Sequence, residues 1–146
     1  MVLTGTYKRS LDQKNRIAIP KKLREQFSNE KLENLYIIPG TETSLSIYSA
    51  ETFNQLSNRL KEVTTNKGPF RNYLRLLYSR SEEAPIDQQG RIRIPERLVS
   101  LAGLENEIML IGVHDHAEIW NMSNWESFLN TYQNDFDDLA TEAFEE

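Results

Sequence analysis

Two short turns combine an aspartate with an arginine four residues further along the chain. The first turn runs from Asp12 to Arg16, and the second runs from Asp87 to Arg91. An aspartate that opens a three-residue loop can accept hydrogen bonds from the loop amides and pair with the arginine that closes it. A guanidinium fixed in this way can bond O6 and N7 of guanine in the major groove of DNA. The spacing therefore predicts that the aspartates hold the loops in shape. It also indicates that the arginines could read the bases of DNA.

The last residue of each loop fits the same geometry. Three-residue hairpin loops commonly end with a residue at positive φ. Asn15 and Gly90 stand at that position, and they are the residue types that tolerate positive φ best. We assign Asp12, Asp87 and Gly90 to shaping the loops. No nucleophile or second carboxylate accompanies them, so the sequence predicts no catalytic site and no enzyme.

Basic residues gather around the first turn. Residues 7–27 hold seven basic and two acidic residues, whereas residues 133–146 hold six acidic residues and no basic one. The formal net charge of −5 therefore conceals a concentrated positive region. In the second turn Glu82, Glu83 and Glu96 dilute the positive charge, so the first turn is favoured. The residues predicted to contact double-stranded DNA are Lys8, Arg9, Lys14, Asn15, Arg16, Lys21, Arg91 and Arg93.

An internal repeat organises the elements that carry these turns. Residues 11–20 align without a gap on residues 86–95, with six of the ten positions identical. Each segment alternates polar and apolar residues, which is typical of a half-buried strand. Each also ends in Ile-Pro, which stops the strand and can begin a helix. Two further strands and a helix follow in each copy, so each repeat is predicted to be β-β-α-β-β-α.

The repeats predict an α+β fold in which two small units share one core. A unit of about 45 residues is too small to bury a good core alone, so the two units are expected to close on each other about a pseudo-twofold axis. We divide the chain into a first repeat (1–56), a helical connector (57–81), a second repeat (82–132) and an acidic C-terminal tail (133–146). A capping box at Ser123-Asn124-Trp125-Glu126 is predicted to open the last helix of the second repeat.

The composition argues against several classes of protein. The chain has no cysteine, so it has no disulfide and no thiolate metal site. His114 and His116 flank Asp115 without a clear third ligand, which predicts a polar turn and no metal. The sequence shows no cofactor or small-molecule motif, and its apolar runs are too short to span a membrane. A cytoplasmic protein is expected.

The chain resembles the MraZ family, bacterial regulators of the division and cell-wall gene cluster that are built from two AbrB-like repeats. The resemblance covers about residues 5–132. The family usually has glycine where this chain has Asn15. The match is carried by the two aspartate-to-arginine turns, Gly5, the Ile19-Pro20 and Ile94-Pro95 exits, and the segments Leu101-Ala102-Gly103-Leu104, Ile111-Gly112 and Glu118-Ile119-Trp120.

The resemblance implies a fold, an assembly and a function. It implies an intramolecular swapped-hairpin β-barrel with peripheral helices, and a ring-shaped homo-oligomer, with an octamer favoured. It also implies sequence-specific binding to short direct repeats upstream of the protein's own operon, which the protein represses, and association with the nucleoid. The DNA-reading arginine of the family falls on Arg16, with Lys14 beside it, and Arg91 is its match in the second turn.

A protein-interaction module is the alternative from another class. An antitoxin-like inhibitor or a structural ring could use the same surface to bind a protein. A protein-binding tip would favour aromatic and apolar residues, whereas residues 13–16 are all polar. The sequence therefore favours DNA as the partner of the turn.

Overall fold

Eight strands and six α-helices follow one another along residues 2–63 and 68–145, the part of the chain that the computed structural model describes. The strands are β1 (Thr6–Ser10), β2 (Arg16–Ala18), β3 (Asn34–Pro39), β4 (Leu45–Tyr48), β5 (Glu82–Pro85), β6 (Arg91–Arg93), β7 (Glu107–Val113) and β8 (His116–Asn121). The helices are α1 (Lys21–Phe27), α2 (Ala50–Lys61), α3 (Gly68–Arg80), α4 (Glu96–Leu101), α5 (Met122–Tyr132) and α6 (Phe136–Phe144), with one 3₁₀ turn (Gln133–Asp135) before α6. The order within each repeat agrees with the predicted β-β-α-β-β-α.

Six strands form one antiparallel sheet in the order β1-β7-β8-β4-β3-β5. This order is unchanged when the two repeats are exchanged, because β1 matches β5, β7 matches β3 and β8 matches β4 in the sequence alignment. The first strand of each repeat pairs with a strand of the other repeat, β1 with β7 and β5 with β3. Each repeat therefore completes the sheet of the other.

The remaining strands, β2 and β6, form a separate two-stranded ribbon in which Ile17 lies opposite Ile92. Each strand has three residues, and Pro20 or Pro95 follows soon after it. Proline lacks the amide that would continue the ladder, so the ribbon stays short. The large sheet is open, with β1 and β5 at its edges, and the predicted closed β-barrel is therefore wrong. The swapped-hairpin topology and the four domain boundaries stay predictions.

The main core lies between the ribbon, together with α1 and α4, and the inner face of the large sheet. Burying each large aliphatic side chain contributes about 1.5–3 kcal/mol. Both repeats supply this core, which explains how two small units reach stability. Its largest fully buried side chains are Ile17, Leu23, Leu35, Ile37, Leu45, Ile47, Ile92, Ile94, Leu98, Ile108, Leu110 and Ile119.

A second, smaller cluster lies on the outer face of the sheet, beneath α2 and α3. Ile38, Tyr48 and Leu77 are its buried residues, and Phe53 of α2 packs against them. At the matching place in the second repeat, Trp120 of β8 packs edge to face against Trp125 of α5, with ring centroids 5.5 Å apart. Helices α2, α3 and α5 therefore cover the face of the sheet opposite to the ribbon.

The start of α5 differs from the prediction. The helix begins at Met122 with Asn121 as its N-cap, so the predicted capping box at Ser123 and Glu126 is wrong. The Asn121 side chain accepts a hydrogen bond from the Glu105 amide at 2.9 Å and donates to Glu105 Oε1 at 3.1 Å. It is therefore bound to the loop before β7 instead of capping its own helix.

Gly112 of β7 permits close approach of the N-terminal segment. Its amide donates to the Gly5 carbonyl at 2.9 Å, and a Cβ at position 112 would lie 2.7 Å from the backbone carbon of Leu3 and 2.8 Å from that of Thr4. Because backbone cannot move aside easily, Gly112→Ala is expected to lower the free energy of unfolding by about 1–3 kcal/mol in urea denaturation. Gly68→Ala, where the added carbon meets nothing closer than 3.8 Å, is the control. Equal stability of both variants would contradict this reading of Gly112.

Candidate nucleic-acid interface

The first turn is held by the carboxylate of Asp12. Asp12 Oδ1 accepts hydrogen bonds from the amides of Lys14 at 2.9 Å and Arg16 at 2.8 Å, while Oδ2 accepts from Arg16 Nε at 2.8 Å. Asn15 adopts a positive φ of 61°, as its residue type allows. The Asp12 carboxylate thus both shapes the loop and holds the Arg16 guanidinium in place.

The second turn repeats the arrangement. Asp87 Oδ1 accepts from the amides of Gln89 and Arg91, and Oδ2 accepts from Arg91 Nε, each at 2.9 Å. Gly90 has a φ of 78°. The two turns are therefore built alike, although their loop residues differ.

Two crossed hydrogen bonds join each turn to the other repeat. The Ile94 amide donates to the Asn15 carbonyl, and the Ile19 amide donates to the Gly90 carbonyl, both at 2.8 Å. Asn15 and Gly90 thus have two features in common: each adopts a positive φ, and each accepts a hydrogen bond from the other repeat. The ribbon and the two turns consequently form one hydrogen-bonded unit.

The ribbon presents three arginines outwards. Arg16 lies opposite Arg93, and Ala18 lies opposite Arg91, while Ile17 and Ile92 between them are buried. Successive side chains of a strand point to opposite faces, so the three arginines share the face that points away from the core. The sequence assigns Arg91 and Arg93 to the second turn and Arg16 to the first, and the structure brings all three to one face of the ribbon.

The fixed arginines keep their terminal nitrogens available. Arg16 and Arg91 each bond their aspartate through Nε, and their side chains remain 30% and 29% exposed. Among residues 2–63 and 68–145, no ion pair to either guanidinium is formed by another side chain. The NH1 and NH2 groups are the pair of donors that bonds guanine O6 and N7.

Arg24 of α1 lies beneath the second turn, which sequence reasoning missed. Its Nε donates to the Ile19 carbonyl at 3.1 Å, and a Cβ at position 90 would lie 2.9 Å from its Cζ. Gly90 therefore leaves room for this guanidinium as well as allowing positive φ. The repeat alignment places Val99 at the matching position of the second repeat, so the asymmetry at Arg24 is visible in the sequence, although its packing against the second turn is not.

Lys14 and Lys21 are exposed near the first turn. Lys14 stands in the loop itself, and Lys21 is the first residue of α1. A positive charge at a helix N-terminus opposes the helix dipole, so Lys21 does not stabilise α1. The matching residue of the second repeat is Glu96, which has the favourable sign.

Lys8 and Arg9, the other predicted contacts, lie on β1 and face opposite ways. Tyr7 packs against the main core, so Lys8 points to the face of the sheet that α5 covers. Lys8 Nζ lies 3.4 Å from Glu107 Oε2 and lines a cleft of acidic and polar side chains. Arg9 is on the ribbon side of the sheet and donates through NH1 to the Lys8 carbonyl at 2.8 Å. The structure therefore does not bring Lys8 to the ribbon.

Acidic residues surround one end of the ribbon. Arg93 lines a surface cleft together with Glu82, Glu83 and Glu96. Glu82 is bound to Arg97 at 2.6 Å. The predicted reduction of positive charge in the second repeat therefore occurs around Arg93 and not around Arg91.

The turn carboxylates have lowered pKa values. The hydrogen bond from the Arg16 amide is the main cause that lowers the pKa of Asp12, and the Arg91 amide does the same for the pKa of Asp87. A carboxylate whose pKa falls on folding contributes stability that is present above its ordinary pKa of 3.8 and lost as the pH falls through the lowered value.

Wild-type protein should therefore lose stability as the pH falls below about 4, and part of that loss should be absent in Asp12→Asn combined with Asp87→Asn. Urea unfolding from about pH 5 to pH 3 measures the difference. The matched pair Glu30→Gln and Glu42→Gln, which removes two exposed carboxylates outside the turns and outside the helices, should keep the wild-type profile. Identical profiles for all three proteins would show that the turn carboxylates do not stabilise the folded state.

Of the two histidines predicted in a polar turn, His114 lies in the turn, whereas His116 is the first residue of β8. His114 takes a φ of 67° in the turn between β7 and β8. His116 Nδ1 lies 2.8 Å from Asp115 Oδ1, and Nε2 lies 3.1 Å from Glu118 Oε2. Burial acts to lower the pKa of His116, but hydrogen bonds to Glu118 and Asp115 outweigh it and raise the pKa. Within the described ranges, no group of three or more His, Cys, Asp or Glu side chains could hold a metal ion.

The fold and the ribbon together define a two-repeat α+β protein with a rigid cationic surface. A family model described as "MraZ protein, putative antitoxin-like" matches residues 2–76 and again residues 77–146. The chain belongs to the MraZ family.

Curated relatives agree with this assignment over nearly the whole chain. The proteins named transcriptional regulator MraZ from Ligilactobacillus salivarius and Lactobacillus helveticus are 34% and 36% identical over 136 residues, which is 93% of this chain and 92% of each relative. The protein of the same name from Alkaliphilus oremlandii is 34% identical over 141 residues, 97% of this chain and 96% of that one. A solution structure from Pyrococcus horikoshii matches with a TM-score of 0.37 at 14% identity, covers 79% of this chain and 96% of that chain, and adds nothing to the assignment.

No helix in residues 2–63 and 68–145 has both the length and the apolar character needed to cross a membrane.

Proposed function

We propose that this chain is a DNA-binding transcriptional regulator that reads double-stranded DNA with the ribbon formed by β2 and β6. The observation that carries the proposal is the outward face of three arginines, two of which are fixed by aspartates of their own turns. The name of its relatives, transcriptional regulator, supports the same function.

The ribbon suits the major groove in size and in chemistry. A two-stranded ribbon fits a groove about 12 Å wide, and a paired arginine–guanine contact discriminates by about 1–3 kcal/mol. Because Asp12 and Asp87 already hold the guanidinium groups, DNA binding would cost less side-chain entropy than it would for flexible arginines. We assign base reading to Arg16, Arg91 and Arg93. The acidic residues beside Arg93 weaken its attraction for DNA relative to the other two arginines.

We assign the phosphate contacts to Lys14 and Lys21, the lysines at the first turn. Lys14 and Lys21 are exposed, and the unfavourable position of Lys21 at a helix N-terminus is explained if it binds an anion. Asn15 stands at the tip of the loop, and Arg9 lies on the ribbon side of β1. These residues form the outer part of the proposed interface, while Lys8 stays outside it.

The regulatory part of the proposal follows the family resemblance. We propose repression of the protein's own division and cell-wall operon through short direct repeats, by a ring-shaped homo-oligomer associated with the nucleoid. A single ribbon with a few basic residues would bind near the non-specific range of about 10⁻⁴ to 10⁻⁶ M. Linked subunits on tandem sites can gain a factor of about 10²–10⁴, so repeated sites and an assembly support each other.

Salt dependence tests the phosphate contacts. Each lost phosphate contact lowers the slope of log affinity against log salt by about 0.9, so Lys14→Ala with Lys21→Ala should reduce the slope by about 2. Lys8→Ala, which removes an exposed lysine from the opposite face of the sheet, should leave the slope unchanged. Fluorescence anisotropy on a duplex from the upstream region gives the slopes. A wild-type slope in the double variant would exclude these two lysines as phosphate contacts.

A protein-binding function is the second candidate, favoured by the antitoxin-like description of the family model. The ribbon itself argues against a protein there, since none of the exposed large apolar side chains in the described ranges lies on β2, β6 or their turns. Binding to DNA that did not respond to salt at all would favour this alternative.

A further inference from the structure

The turn between β3 and β4 is three residues longer than its counterpart in the second repeat. It contains residues 40–44, whereas residues 114–115 join β7 to β8. Glu42 and Thr43 adopt positive φ values of 59° and 57°, and His114 in the matching turn has 67°. This conformation is costly for a β-branched residue such as Thr43. The longer turn reaches α5 of the other repeat, where Glu42 and Thr43 line the same cleft as residues of that helix.

In the second repeat the turn carries a carboxylate that is paired with an arginine. Arg59 of α2 has its NH2 group 3.5 Å from Asp115 Oδ2. Burial raises the pKa of Tyr48 on β4 to about 12, and Asp115 raises it further, whereas Arg59 acts in the opposite direction. The guanidinium charge therefore lies near both the turn carboxylate and an aromatic ring of the neighbouring strand.

The corresponding position on α5 has no arginine. Residues 45–60 align without a gap on residues 117–132, so Arg59 matches Thr131. In the part of the chain that the structure describes, Glu42 forms no ion pair and the cleft beside it is lined by no lysine or arginine. The cleft is open, has a volume of about 230 Å³, and is lined by residues that include Glu42, Thr43, Trp120, Phe128, Thr131 and Tyr132.

Three aromatic rings follow one another along this cleft. Trp120, which matches Tyr48, has its ring centroid 5.4 Å from that of Phe128, and the Phe128 and Tyr132 centroids are 5.1 Å apart. Tyr132 is 40% exposed. Aromatic faces attract cations, and arginine occurs at such sites more often than lysine. A carboxylate beside aromatic faces is therefore suited to a guanidinium, which can bond the one and stack on the other.

We propose that this cleft binds an arginine side chain exposed on a partner protein, in the position that Arg59 holds at the matching site. Glu42 accepts the hydrogen bonds of the guanidinium, and Phe128 and Tyr132 contact its plane. The cleft is smaller than the about 300–1,000 Å³ of typical small-molecule pockets, so it suits a single side chain. Free arginine fits less well, because the described lining offers no positive charge for its α-carboxylate.

The proposed contact is independent of DNA binding by the ribbon. Trp120 packs against α5, on the face of the sheet opposite to the ribbon, and the cleft lies on that side. A protein bound there would leave the three outward arginines of the ribbon free to meet DNA. The site is thus suited to join the regulator to a second protein.

Titration of the full-length, ¹⁵N-labelled protein with N-acetyl-arginine methylamide tests the site. The indole signal of Trp120 and the amide signals of residues 127–132 should shift in a saturable way, with a dissociation constant on the order of 1 mM for one charged side chain. The citrulline analogue has nearly the same shape without the charge and should cause no saturable shift. The lysine analogue and free arginine should bind several-fold more weakly.

Variants identify the groups that hold the guanidinium. Glu42→Gln should weaken binding about 3- to 10-fold, and Glu25→Gln, which changes an exposed glutamate on α1, should leave it unchanged. Thr131→Arg places an arginine where Arg59 stands in the other repeat, so it should fill the cleft and abolish binding. Thr131→Ala removes only a hydrogen bond to the Ser127 carbonyl within α5 and should keep wild-type affinity.

Four outcomes would overturn the proposal. The first two are equal shifts with the citrulline analogue and wild-type affinity in Glu42→Gln. Free arginine that binds as tightly as the capped form would show a small-molecule site instead of a contact with a partner protein. A lower molar mass of Glu42→Gln in light scattering would show that the cleft binds a second copy of this chain. Unchanged thermal melting shows that the variants fold, and unchanged DNA binding by Glu42→Gln separates a failure here from a failure of the proposed function.

Discussion

Substitution of Arg16 by alanine is expected to cause the largest loss of DNA affinity of any single change in the ribbon. If Arg16 pairs with one guanine, its removal costs about 1–3 kcal/mol, or about 5- to 150-fold at a single site. On a duplex with several direct repeats the loss recurs at every subunit, so binding in a gel-shift assay should be abolished at wild-type concentrations. Light scattering should give the same molar mass as for wild type, because the Arg16 side chain bonds Asp12 of its own turn.

Two further variants make this result specific. Arg59→Ala removes an exposed arginine on the far face of the sheet, where Arg59 lies 3.5 Å from Asp115, and it should leave DNA binding unchanged. Arg16→Lys keeps the charge but loses both the Nε bond to Asp12 and the planar fork of donors, so it should restore only a small part of the affinity. Full retention of binding by Arg16→Ala would remove the basis for base reading by the first turn.

Truncation of Ile92 is expected to have the largest effect on stability. Ile92 is 1% exposed and lies opposite Ile17, so Ile92→Ala leaves a cavity between the ribbon and the sheet. Such substitutions cost about 2–5 kcal/mol, which is a large part of the stability of a protein of this size. Urea unfolding should show one cooperative transition shifted to lower denaturant, and DNA binding should weaken although Ile92 touches no DNA in the proposed complex.

The control is an exposed aliphatic residue in the same repeat. Val113→Ala on β7, where the side chain is 38% exposed, should change the free energy of unfolding by less than about 0.5 kcal/mol. Two separate transitions in Ile92→Ala, with the first repeat unaffected, would show that the repeats do not share a core.

The two turns could be predicted from sequence because their geometry is local. Every hydrogen bond of Asp12 to Lys14 and Arg16 joins residues within five positions, and Asn15 is a residue type that accepts positive φ. The buried faces of the strands were predicted for the same reason, since alternation of apolar residues reports on one strand alone. The internal repeat then supplied the second copy of each element.

Contacts between distant parts of the chain could not be predicted in this way. The pairing of Arg16 with Arg93 and the placement of Arg24 under Gly90 depend on how two repeats meet. The face of β1 on which Lys8 lies is set by Tyr7 joining the core, and a charge count along the sequence does not contain that information. The closed barrel was expected because the resemblance implies it, whereas the separate ribbon leaves β1 and β5 as edges.

The exchange of strands between repeats also constrains how the chain is made. β1 obtains its partner only when residues 107–111 are present, and β2 obtains its partner only with residues 91–93. During synthesis on the ribosome, the apolar side chains of β1 and β2 therefore remain exposed to solvent until most of the second half has been made. Contacts so far apart in sequence slow folding and lengthen exposure to aggregation. Nascent chains halted before residue 91 should accordingly be good substrates for chaperones.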